Sequence, residues 1–546
     1  MATNYWISGA PEIAEVRDYL FAGTWEASDV ITLTIGNVTV STTATSTVIT
    51  TIVDALVTTW NALSSDYYPA FSKCTASRSG DNFRLTKDTD WIGEPIVCTL
   101  ATTETGGGAA DDQTIDGAAS STGTASTANS GPNAWNVADN WSLDLVPIAT
   151  HDVVIDGRSS EDIKYGIDQN TIALNSLTIM QSYEGSIGLP ITNEDITDSP
   201  YAEPLETYLK IRPGTLRIGD GEGNGADRIK INGGATAMTA VVVNTSTTRA
   251  EDGIPAVLLT GTSASNSFTI LKGDVGIAYY PGETADLTGL CSIGRVAGSH
   301  TTTDSPTVYL GAGCTIVTAT VDSGTVWTNG AVTTMNLNGG TLYHQQGAIA
   351  TLNMEVGTLY YRSTSAITTA TIISGVAWIN AAITTCTLGF DNPTVEVTGA
   401  ITTLTVNSGT MVYASASTIT TCTTNGGDVE TNGAITTLNV NGGRHRHMTG
   451  AVDVLIVAGG KLNYNAVGTL GGNPVVAGDG VLDFSEIGAA ATKTVTNPIE
   501  VYGGACKVLD ANKTVAALVL DLNYDRLDSQ RFDLGKNIRI TRGTPA

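Results

Sequence analysis

A chain of 546 residues is longer than one globular core organises, so several domains or a repeat array are expected. Lys and Arg number 27 against 53 Asp and Glu, a formal charge of -26 whose field repels phosphate backbones and anionic headgroups, which excludes nucleic acid and membrane surfaces as partners. Only 15% of residues are charged and 60 are Gly, a balance that suits short strands and tight turns, so the chain reads as mostly β.

The N-terminal "MATNYWISGAPEIAEVRDYL" has no basic stretch leading into an apolar one, and no window nears 18 uninterrupted apolar residues, so assembly in a cytoplasm is expected rather than export or membrane insertion. Residues 1–103 carry strand-like runs ("VITLTIGNVTVSTTA", "NFRLTKDTDW", "PIVCTLATT") around one helical pattern, in which Ile49, Ile52, Val53, Leu56 and Trp60 fall at helical spacing. A small N-terminal α+β module follows from this. Residues 104–133 are rich in Gly, Ser, Thr and Ala without apolar periodicity, as expected of a linker or loosely held loop. The seven cysteines (Cys74, Cys98, Cys291, Cys314, Cys386, Cys422, Cys506) are never within four residues of one another; reduced, buried thiols are expected rather than a zinc site or a disulfide framework.

Residues 134–315 place short strands ("SLTI", "LKI", "RIKING", "AVLLTGT", "FTILKG") at wide, uneven intervals. Residues 316–465 are far more regular. Aligning Ile316, Val332, Ile349, Ile367, Ile383, Ile401, Ile419, Ile435 and Val452 gives spacings of 16, 17, 18, 16, 18, 18, 16 and 17, a mean period of 17. Three residues after each marker from Val332 onward come Met335, Leu352, Ala370, Cys386, Leu404, Cys422, Leu438 and Leu455. Five residues after come Leu337, Met354, Ile372, Leu388, Val406, Thr424, Val440 and Val457, apolar but for Thr424. About ten residues after the marker, behind an Asn-Gly or Gly-Gly turn, a second strand sets Leu342, Leu359, Ala377, Met411, Val429, His445 and Leu462 in register. Columns of like residues at a fixed period predict a parallel β-solenoid, each coil burying its apolar face on the next. An intertwined trimer with three chains sharing one core would produce the same repeat. Residues 466–546 are read as C-terminal coils and a cap, since an open solenoid end is a sheet edge.

Few residues suggest chemistry. Carboxylates cluster in residues 193–206, where Glu194, Asp195, Asp198, Glu203 and Glu206 include candidates for the facing pair of a polysaccharide-cleaving site; an acidic surface loop is the simpler account. Asp220, Glu222 and Asn224 match the first half of a calcium loop that Asp227 would complete irregularly, but the twelfth position is Ile231 where an EF-hand needs a bidentate Glu, so a Gly-rich turn is the simpler reading. "RHRH" sets His445 and His447 on one strand face, as metal ligands or as a polar rung with His445 a satisfied core histidine. Tyr343, Tyr360 and Trp378 share one outward column on successive coils, suited to stacking on sugar rings, sealing a subunit contact, or simply stabilising the sheet. No nucleophile elbow, Walker loop, H-E-x-x-H or C-x-x-C occurs, so no enzyme is expected.

The segment "WNVADNWSLDLVP" followed by "DVVIDG", together with "YGIDQNTIALNSLTI", "EGSIGLP" and the N-terminal "DVITLTIGNVTVSTTATSTVITTIVDALVTTWNA", resembles a group of tailed-phage and prophage structural proteins with a β-helical body. The resemblance covers roughly residues 1–320 and brings no catalytic motif. It implies a virion surface protein assembled in the host cytoplasm, with the N-terminal module as anchor, other virion proteins (capsid or tail) as partners, and a homo-oligomer, commonly a trimer. Capsid decoration or a head fibre is the leading expectation. A glycan-binding tail spike or fibre for host recognition, with or without depolymerase activity, is the alternative, and a cell-surface adhesin the least favoured.

Overall fold

The computed structural model describes residues 2–63, 71–105, 112–189, 205–220, 228–235, 238, 240–245, 253–263, 266–295, 305–485, 493–503 and 505–522, with the strand backbones of 532–533 and 538–542. It is mostly β, with one α-helix, Ile49–Asn61, among the described residues. The chain divides into two compact units, Met1–Ala240 with Asn244–Thr262, and Val241–Val243 with Ser263–Ala546.

The first unit opens on the α+β module. Ile52, Val53, Leu56 and Trp60 form the buried stripe of the helix that the spacing predicted. They share a core with Tyr19, Phe21, Leu33, Phe83, Leu85 and Leu100 from two antiparallel sheets. The Trp60 indole N–H donates to the Cys74 carbonyl at 2.8 Å, so the largest helical side chain is satisfied inside that core.

Two features of this unit depart from the sequence reading. The Gly-rich stretch expected as a linker joins the module instead: Thr114–Ile115 and Thr124–Thr127 pair with Val16–Ala22, and Ser120–Ser121 pairs with Thr99–Thr103. These are short edge strands held by backbone hydrogen bonds, and Thr124–Thr127 are exposed throughout, so no apolar period was needed to form them. Asp116, Gly117 and Gly123, at φ of 54°, 78° and 75°, supply the turns. Conversely, Thr3–Tyr5 leaves the module and pairs in parallel with Asp152–Ile155.

That N-terminal strand is locked by the Trp135–Trp141 segment. Trp6 and Trp135 both meet Trp141 edge-on, with ring centroids 5.1 and 4.6 Å away, and all three are fully buried. Buried Asn140 donates to the carbonyls of Gly131 and Ala134 and accepts from the Ala10 N–H. The two tryptophans and the asparagine of this motif therefore do structural work. From here Asp152–Ile155, Asp168–Ile179 and Leu209–Ile218 stack in parallel, and Ile229–Asn232 pairs in parallel with Val257–Thr260.

In the second unit each regular coil has a first strand, mostly of six residues, and a second, mostly of four, each pairing in parallel with its equivalent one coil on. Ala370, Cys386, Leu404, Cys422 and Leu438 stand directly over one another and are fully buried. Burial pushes the thiols of Cys386 and Cys422 up to about 12, and all seven cysteines are free and buried, as the sequence suggested. The Gly turn stacks as well: a Cβ on Gly427 (φ 79°) would lie 2.3 Å from the Gly409 carbonyl oxygen, and one on Gly443 (φ 66°) 2.4 Å from that of Gly427. Successive backbones approach too closely for a Cβ at these glycines, while Pro393 takes the equivalent place one coil before Gly409. Parallel stacking continues through Leu518–Leu522 onto Ile538–Arg542.

The uneven period has a physical cause. The last inward position of the four-residue strand forms a buried column: Thr328, His344, Tyr361, Ile379, Val397, Tyr413, Thr431, His447 and Tyr464. From this position to the next coil's first inward residue the chain takes four steps after Thr328, Ile379, Val397 and Thr431, five after His344 and His447, and six after Tyr361, Tyr413 and Tyr464. A longer corner encloses more space, and a longer side chain fills it. Each ring also ties its corner down. The Tyr361, Tyr413 and Tyr464 hydroxyls donate to the carbonyls of Ser365, Ser417 and Gly468 at 2.8, 3.0 and 3.0 Å. His344 and His447 reach those of Gly347 and Gly450 through Nε2 at 3.2 and 3.1 Å. Coils are thus 16 residues long with a small residue here, 17 with His and 18 with Tyr. The coil from Ile383 to Ile401 is long for another reason: two extra residues in its Gly389–Pro393 turn, which leave Phe390 exposed.

Candidate functional site

Outward positions of the four-residue strands bring the predicted aromatic column together and extend it. Trp327, Tyr343, Tyr360 and Trp378 are direct cross-strand neighbours on four successive coils. Their ring centroids are 4.0, 4.8 and 4.8 Å apart with planes inclined by 9°, 2° and 11°. Sequence reasoning missed Trp327, although it lies 16 residues before Tyr343 in the same frame. Because the rings stack at the coil spacing, their faces are spent on one another and their edges point outward. The column ends at Trp378, 39% exposed, whose neighbour on the next coil is Glu396.

The histidines lie on the opposite side of the same strand type. His445 and His447 are both fully buried. Thr424 Oγ lies 2.9 Å from His445 Nδ1, Thr431 Oγ lies 3.0 Å from both His445 Nε2 and His447 Nδ1, and His447 Nε2 lies 3.1 Å from the Gly450 carbonyl oxygen. A carbonyl only accepts, so His447 carries its proton on Nε2 and its Nδ1 accepts from the Thr431 hydroxyl. The Thr431 oxygen then accepts from His445 Nε2–H, and His445 Nδ1 accepts from Thr424. One carbonyl therefore sets both tautomers. Burial holds both rings neutral, lowering their values from the ordinary 6.5 to about 3 for His445 and about 4 for His447. All four ring nitrogens have partners, so the pair is a satisfied polar rung and not a metal chelate. Thr424, the single polar member of its column, is the partner that makes this possible. His344 is buried likewise, with its value lowered by burial and its ring 4.6 Å from that of Tyr361.

The remaining candidates fall largely outside the described residues. Glu194, Asp195, Asp198 and Glu203 lie outside the described residues; Glu206 is described and ion-pairs with Lys210. Of the calcium candidates, Glu222, Asn224 and Asp227 lie outside the described residues, and Asp220 follows the strand Leu209–Ile218. Among the described residues no group of three or more His, Cys, Asp or Glu is placed to hold a metal ion, and no helix is long and apolar enough to cross a membrane.

No family model, curated protein or solved structure matches the chain.

Proposed function

We propose that the chain is a structural protein of a tailed-phage particle surface, a capsid decoration or head-fibre protein whose work is rigidity and attachment rather than catalysis. The observation that carries this reading is the pairing of a compact α+β module, suited to anchoring on other virion proteins, with parallel coils whose turns are closed by stacked backbone and buried rings. Such coils resist bending because each contacts its neighbours along its whole length. The Trp135–Pro147 segment, by its resemblance to virion proteins, supports the phage setting. Gold labelling of purified particles with an antibody raised against residues 330–465 tests it. Label over the heads is the expected result, and particles that take no label remove the virion assignment.

One observation favours a second reading, host glycan recognition by a tail spike. Trp378 ends the aromatic column half-exposed with the Glu396 carboxylate next along it, a ring beside a hydrogen-bond acceptor for sugar hydroxyls. Label confined to the tail would favour this reading, and would justify assaying polysaccharide turnover by residues 194–206.

A further inference from the structure

In the α+β module the strands Val30–Ile35 and Thr99–Thr103 lead to two facing carboxylates. They pair antiparallel, with Val30 opposite Thr103 and Ile31 opposite Thr102. The Thr105 hydroxyl donates to the Ser28 carbonyl, so the same alignment runs on past the ladder and sets Asp29 opposite Glu104. Cβ atoms of residues placed this way lie about 5 Å apart. Asp29 is fully buried, and both carboxylate oxygens of Glu104 are buried as well. Like charges held this close inside a protein repel one another unless a cation lies between them.

The module's own cations are engaged elsewhere. Residues 1–133 contain five Lys and Arg, and each pairs with a different acid: Arg17 with Glu15, Lys73 and Lys87 with Glu94, Arg78 with Asp54, and Arg84 with Asp18. Hydrogen bonding leaves Asp29 incomplete. Its Oδ2 accepts from the Glu26 N–H at 2.8 Å, while its Oδ1 has no hydrogen-bond partner. Thr102, two residues before Glu104 and therefore on the same face of its strand, is 9% exposed, and its Oγ has no hydrogen-bond partner either.

We propose that Asp29, Glu104 and Thr102 hold a calcium ion. A doubly charged cation balances the two carboxylates and gives the unpartnered oxygens of Asp29 and Thr102 a ligand that only oxygens need to meet. Calcium accepts about six to eight oxygens in irregular geometry, hydroxyls and carbonyls among them, so a third acid is not required. Magnesium keeps several of its waters, for which a fully buried carboxylate leaves little room. The ion would tie together the ends of two neighbouring strands where their ladder stops. Two charged ligands set the affinity on the order of 10⁻⁴ to 10⁻³ M, the range of extracellular calcium modules, so the site fills outside a cell rather than within it.

Calorimetric titration of the full chain with calcium chloride, after treatment with EDTA and in physiological salt, tests the site. Asp29 should account for one ion per chain, and saturating calcium should raise the melting temperature of the module by a few degrees over EDTA. Asp29→Asn retains an oxygen for the Glu26 N–H and removes one of the facing charges. It should melt at least as high as the wild type in EDTA and bind calcium at least about tenfold more weakly. It changes a net charge of -26 by only one, so a loss that large does not come from the background field. Thr102→Val, close in shape but without the hydroxyl, should weaken binding several-fold and leave the melt in EDTA unchanged. A wild type whose melting temperature ignores calcium overturns the proposal, as does an Asp29→Asn chain that binds like the wild type. Binding that survives Asp29→Asn but is lost in Asp220→Asn would assign the ion to the acidic loop at residues 219–228 and would also overturn it.

Discussion

The coils of residues 316–470 and those of residues 152–218 use the same parallel ladder and spend their residues differently. Ile155 pairs with Ile179 and Ile179 with Ile218, steps of 24 and then 39 residues, whereas Ile367, Ile383 and Ile401 follow one another at 16 and 18. The strands Asp168–Ile179 and Leu209–Ile218 run to 12 and 10 residues, against six and four in a regular coil. In the first region the fold fixes the ladder and leaves the connections free to vary. In the second the connections are fixed too, by stacked turns, mostly of glycine, on one side and by a size-matched buried side chain on the other, with the Gly389–Pro393 turn the exception. Regularity here is a property of the corners more than of the strands.

The largest effect that would break this contrast lies in the regular core. Leu404 is fully buried between Cys386 and Cys422, so Leu404→Asp should lose about 4 kcal/mol or more, while Thr403→Asp, on the outward neighbour, should lose about 1 or less. Equal melting temperatures for the two would contradict the register. Next comes the corner. Tyr413→Val removes the ring and its bond to Ser417 while keeping the six-step corner, and should cost about 3 kcal/mol by chemical denaturation.

The histidine pair gives the regular region a pH dependence of its own. Both folded-state values lie below the unfolded 6.5, so the unfolded chain binds more protons between about pH 4 and 6.5 and the pair's contribution, complete above 6.5, falls as the solution is acidified. Each ring should cost roughly 1.4 kcal/mol per pH unit across that window, and His445→Leu, which continues the apolar column of Val429 and Leu462, should flatten the acid limb of a stability-against-pH profile. The smallest effect concerns the outer turn. Asn425 donates to Asn407 and accepts from Asn441, both at 2.9 Å and exposed, so Asn425→Ala should cost about 1 kcal/mol or less, a melting shift of a few degrees at most.

The repeat made much of this legible from sequence. Columns of Ile, Leu and Cys at one period identify the ladder because each coil sees only its neighbours, and the same one-dimensional logic revealed three of the four stacked rings. What stayed hidden depended on contacts with no local period. Thr3–Tyr5 finds Asp152–Ile155 across nearly 150 residues, and the Thr114–Thr127 strands bury too little to leave an apolar pattern. The inward burial of both His445 and His447 required seeing that Thr424 and Thr431 flank them. The spacings of 16, 17 and 18 were in plain view, but their cause needed the corner geometry. Candidates near residues 194–206 and 220–227 fall largely outside the described residues, and proximity in sequence carries no information about facing geometry.

The most direct test of that geometry restores what Tyr413→Val removes. Deleting Ala416 and Ser417 in the Tyr413→Val background returns the corner to the four steps found after Val397, so thermal melts of the two variants should show the shortened chain recovering most of the lost stability. A shortened variant that melts no higher than Tyr413→Val, or lower, would contradict the claim that side-chain size and corner length are set together.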